Sequence, residues 1–78
     1  MTKEEIFEEL KDIFKIVRPK LESDNIHPES DLIHDLGIDS LSMMLLALAS
    51  EEKFDIKFES NRFGTVNDVC EYILKAKK

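Results

Sequence analysis

An all-α fold is predicted: a small antiparallel four-helix bundle of three main helices and one short one, with a long loop between helices one and two. Two segments, one near each end, carry apolar residues at spacings of three and four. Between them, the eleven residues from Ser40 to Ser50 hold no charge at all. No strand is expected from the pattern of apolar and polar residues. A chain of 78 residues that is 42% hydrophobic has room for one domain, residues 1–78, with one modest core.

In the first segment Ile6, Leu10, Ile13, Phe14, Val17 and Leu21 repeat in phase, and Glu4, Glu5, Glu8, Glu9, Lys11 and Lys15 fill the gaps. Thr2 is the expected cap. Pro19 disfavours helical geometry at Arg18, so this helix ends or kinks there. From Lys20 to Asp39 the chain is rich in Ser, Asp, Asn and Pro and reads as loop, pinned to the core by Ile26, Leu32, Ile33, Leu36 and Ile38, with a helical turn within Pro28 to His34.

The second helix is expected from Ser40 to about Lys53. Its core stripe is read as Leu41, Met44, Ala47 and Leu46, which leaves Leu45, Leu48 and Ala49 on another face beside Glu52. Asp55 to Phe58 is a connection, Glu59 to Arg62 a short helix, and Gly64 a break. Thr65 caps the last helix, whose inward face is Val66, Val69, Cys70, Ile73 and Leu74; Lys75, Lys77 and Lys78 suit the negative end of its dipole.

The net charge is −6, and residues 1–39 hold all of the acidic excess. Such a surface repels phosphate backbones, so a nucleic-acid partner is not expected, and basic patches on proteins are attracted instead. The single cysteine excludes an internal disulfide and fits a reducing compartment. Met1 to Glu5 leads straight into an acidic amphipathic pattern, where a signal peptide would be basic and then apolar, and the apolar run from Met43 to Ala49 is too short to span a bilayer. A cytoplasmic chain without membrane insertion is expected.

Leu36-Gly37-Ile38-Asp39-Ser40-Leu41 joins loop to helix. Gly37 supplies backbone freedom for the turn, Asp39 caps the free N–H groups, and Ser40 stands among the outermost helical residues with its hydroxyl towards solvent. An anion esterified to that hydroxyl would meet the positive end of the helix dipole, worth about 0.3–1 kcal/mol.

Asp35-Leu36-Gly37-Ile38-Asp39-Ser40-Leu41, the apolar helix behind it and Glu51-Glu52-Lys53-Phe54 resemble the acyl carrier protein family and the related peptidyl and D-alanyl carriers. The resemblance runs through most of the chain. It implies that Ser40 is esterified to 4′-phosphopantetheine, whose thiol carries acyl groups as thioesters between enzymes, and that the chain itself catalyses nothing. Asp39 would help a phosphopantetheinyl transferase, a holo-carrier synthase, to recognise the site by way of its magnesium ion. The expected partners are that transferase and the acyl-transferring or condensing enzymes of fatty-acid, lipid or polyketide-type biosynthesis, met by a monomer. Their docking surface would comprise Asp35, Leu41, Leu45, Leu48, Ala49, Glu51 and Glu52; Leu41 is thus assigned to the core stripe and to this surface at once.

The resemblance has a departure. Fatty-acid carriers usually show acids along this helix, whereas Ser42 and Leu45 stand at such places here, which points to more apolar docking and a specialised pathway. Phe14, Ile38, Leu46, Phe54 and Ile73 are the expected lining for a sheltered acyl chain. The start at Met1 and the lysine-rich end suggest a free-standing protein, the alternative being a domain excised from a larger synthase. Two other functions stay open at this point: a carrier of aminoacyl groups, or an acidic helical adaptor with no prosthetic group.

Other chemistry has weaker support. Cys70 shares a face with Val66, Val69 and Ile73 and reads as a small buried hydrophobe. His27 and His34 lie in loop with no nucleophile beside them, and Met43 and Met44 are adaptable packing residues. In the stretch from Asp31 the glycine falls seventh and Ser42 twelfth, where a calcium loop needs glycine sixth and a bidentate Glu twelfth.

Overall fold

The computed structural model describes residues 2–58 and 63–77. Three α-helices make the fold: α1 (Lys3–Val17), α2 (Ser40–Phe54) and α3 (Val66–Ala76), with a 3₁₀ helix at Ser23–Asn25. No strand occurs among the described residues, only an isolated antiparallel bridge between Asp31 and Thr65. The short helix expected over Glu59 to Arg62 lies outside the described residues.

The helix starts follow their caps. Thr2 Oγ1 accepts the Glu5 N–H at 3.2 Å while the Glu5 carboxylate accepts the Thr2 N–H at 2.8 Å, and Thr65 and Asp68 repeat this reciprocal box at α3. At α1 the helix stops one residue before Arg18, as the following Pro19 requires. The end of α2 is set by Asp55 in the left-handed region, φ 55°, and the Lys77 ammonium donates to the Phe54 carbonyl at 2.9 Å, a cation at the carbonyl end of the helix.

α1 packs against both α2 and α3. Its Ile6, Leu10, Ile13 and Phe14 meet Val66, Val69, Cys70 and Ile73 of α3 and Met43, Leu46 and Phe54 of α2 in one core. The segment between α1 and α2 closes this core with Ile26, Leu32, Leu36 and Ile38, and it is stitched to the start of α3 by Leu32 N–H to Gly64 O, 2.9 Å, and Val66 N–H to Ser30 O, 3.1 Å. Beyond α2, Phe58, Phe63 and Tyr72 form an aromatic trio with centroids 5.0–5.7 Å apart.

Three expectations about the core are corrected. The inward face of α2 is Ser42, Met43, Leu46, Ser50 and Phe54, while Leu41 and Met44 are 67% and 55% exposed and Ala47 is half-buried. The stripe lies about 100° round from the one read off the sequence, because an uncharged segment gives no charged residues to mark its outer side. Ile33 is exposed, since the turn after Asp31 sends Leu32 inward and Ile33 out. Leu74 is exposed too, about 100° round α3 from the buried Ile73.

Candidate functional site

Ser40 is the first residue of α2 and is exposed. Three devices place it. Asp39, the N-cap, accepts the Ser42 N–H on Oδ1 at 2.8 Å. Gly37 has φ +68°, a conformation that L side chains rarely adopt, and a Cβ there would lie 3.3 Å from Arg18 Nη2. Upstream, Asp31 ties the loop: its Oδ1 accepts the N–H groups of His34 at 2.8 Å and Ile33 at 2.9 Å, and the Asp35 carboxylate accepts the Asp31 N–H at 2.7 Å. These bonds account for Asp31 and Asp35 as loop-builders.

The N–H of Ser42, then its hydroxyl, hold the Asp39 carboxyl below its ordinary value, and the Arg18 charge adds to this. The cap therefore persists at every pH above the ordinary carboxylate range, and it is lost only as acid drives pH below that range and through the lowered value. Arg18 reaches this place from the end of α1, a neighbour that helical periodicity does not predict.

Beside Ser40 lies an open depression of about 360 Å³ lined by Ile33, Ile38, Asp39, Ser40 and Met43. Its mouth is polar at Asp39 and Ser40, and its walls are apolar. The first N–H groups of α2 and the nearby guanidinium suit a phosphate, and the apolar walls suit the chain attached beyond it, so these residues fit a phosphorylated arm. Ile33 and Met43 are the lining residues that sequence reasoning missed.

Of the expected docking residues, Leu41, Leu45 and Leu48 are exposed on α2 with Met44, and Ile33 adds to the exposed apolar side chains. Ala49 is half-buried and packs on the core. Glu52 is exposed, whereas Glu51 accepts the Phe58 N–H at 2.7 Å and so holds the turn after α2. Asp35 is exposed at the other end. The expected chain-lining residues Phe14, Ile38, Leu46, Phe54 and Ile73 all lie in the core. Cys70 is buried, and burial pushes its thiol up to about 11, which makes it a poor nucleophile.

The family described as Phosphopantetheine attachment site matches residues 4–73. The chain is 41% identical over 76 residues to the acyl carrier protein of Coprothermobacter proteolyticus, covering 94% of this chain and 92% of that one. Against the acyl carrier protein of Desulforapulum autotrophicum it is 40% identical over 67 residues, covering 78% and 87%; against that of Campylobacter fetus subsp. fetus it is 36% identical over 76 residues, covering 94% and 97%. A phosphopantetheine-bearing carrier is thus the class that fold and site define. The chain belongs to the acyl carrier protein family. It is a carrier and not an enzyme, its prosthetic group is 4′-phosphopantetheine, and the adaptor without a prosthetic group is set aside. Among the described residues no helix is long and apolar enough to cross a membrane.

Proposed function

We propose that Ser40 is the attachment residue and that residues 1–78 act as one carrier domain. The observation that carries this reading is the exposed hydroxyl of Ser40 on the first turn of α2, beside a capping aspartate and an apolar depression. When bound, the group supplies a flexible arm whose thiol holds an acyl chain as a thioester. Asp39 keeps the first turn formed and its own charge ionised for recognition by a phosphopantetheinyl transferase and that enzyme's magnesium ion. Tethering raises the effective concentration of the acyl group at each partner to a level that free diffusion does not reach.

Partners dock on Leu41, Leu45, Leu48 and Ala49, with Asp35, Asp39, Glu51 and Glu52 supplying charge from the two ends. The exposure of the three leucines supports this surface, and the absence of charge between Ser40 and Ser50 supports apolar docking to the enzymes of a specialised fatty-acid, lipid or polyketide-type pathway. A monomer in the cytoplasm is part of the same reading.

The test is intact mass after incubation with coenzyme A and a phosphopantetheinyl transferase. The wild-type chain gains a single phosphopantetheine and Ser40→Ala gains none; a modified Ser40→Ala chain contradicts the reading.

A further inference from the structure

Ser50 lies on the inward line of α2, fully buried, and its Oγ is the buried side-chain polar atom without a hydrogen-bond partner among the described residues. The two other buried serines are satisfied. Ser30 Oγ accepts the His27 N–H at 3.0 Å, and Ser42 stands at the Asp39 carboxylate, which accepts its N–H at 2.8 Å. A stranded hydroxyl in an apolar core is costly, and alanine would fill the same space without that cost.

Met43, Leu46, Ser50 and Phe54 succeed one another at three and four residues, so they stack on one side of α2. The line begins at the depression beside Ser40, because Met43 is one of its walls. Seven residues at about 1.5 Å each put Ser50 about 10 Å deeper than Met43. An apolar chain that enters past the adaptable Met43 and runs along Leu46 inward therefore meets an unpaired hydroxyl well beyond its thioester end.

We infer that Ser50 selects the cargo: the carrier shelters acyl chains bearing a hydroxyl or keto oxygen towards their far end, which the Ser50 hydroxyl bonds inside the core. This rests on the attachment at Ser40 proposed above. A plain alkyl chain would leave the Ser50 oxygen stranded, whereas an oxygenated one satisfies it, and that difference is the source of the preference.

The experiment loads the wild-type chain and Ser50→Ala with three arms through a phosphopantetheinyl transferase: decanoyl, decanoyl hydroxylated next to the thioester, and decanoyl hydroxylated towards its far end. Intact mass first establishes loading, and the rate of thioester cleavage by hydroxylamine then reports how far the arm is sheltered. In the wild-type chain the far-hydroxylated arm is cleaved about fivefold more slowly than the plain decanoyl arm, as one neutral hydrogen bond implies, and in Ser50→Ala that advantage disappears. Circular dichroism shows the same helix content in both proteins. Loaded chains whose cleavage order is the same in wild type and Ser50→Ala overturn the inference and leave the attachment intact. A wild-type chain that accepts no arm overturns the attachment and the inference together.

Discussion

α1 and α3 differ from α2 in how they use their apolar residues. Each of the former opens on a reciprocal capping box and turns one sharply apolar face to the core, and the outer face is mainly charged, with Ile16 of α1 and Leu74 of α3 the large apolar side chains left exposed: α1 binds outward through Lys53–Glu9 at 2.9 Å and Lys3–Glu71 at 3.5 Å. α2 opens on a single aspartate cap, carries two serines on its inward line and leaves four large apolar side chains, Leu41, Met44, Leu45 and Leu48, towards solvent. Polarity sorted in the first way is what folding alone demands. The unsorted helix is the one that begins at the attachment serine, and its outward apolar residues are free for contacts that the fold does not use.

Substitutions on the two kinds of face should therefore separate stability from function. Phe14→Ala, in the fully buried face of α1, should cost about 3–5 kcal/mol in urea unfolding, enough to unfold much of so small a domain. Gly37→Ala, in the loop that feeds α2, should cost roughly 1–2 kcal/mol because of its left-handed backbone, and should slow transfer of phosphopantetheine as the Arg18 guanidinium is pushed from its place. Leu48→Glu should change stability by less than about 0.5 kcal/mol while weakening the binding of partner enzymes measured by calorimetry. Should Leu48→Glu unfold the chain as Phe14→Ala does, the distinction between the faces is broken.

The ends of the helices were legible because each is fixed by local chemistry: Thr2 and Thr65 as caps, Pro19 as a stop, Asp39 before Ser40. The rotation of α2 was not legible. With no charge from Ser40 to Ser50, leucines on every side look equally suited to the core, and the serines that do point inward look like surface. Tertiary neighbours were hidden for a different reason. Arg18 comes to Gly37 across the loop, Ile33 turns outward next to the buried Leu32, and the walls of the depression come from two segments that no periodicity joins. The attachment motif was readable because its parts are contiguous; the route leading inward from it, down to Ser50, exists only once α2 has taken its rotation.

Fragment-mass mapping of protein purified from a cell that contains a phosphopantetheinyl transferase bears most directly on the central claim. The added mass should lie on Ser40 within the peptide that spans Asp39 to Leu41. Finding it on Ser42, on Ser50 or outside α2, or finding Ser40 bare after complete modification elsewhere, would contradict the assignment.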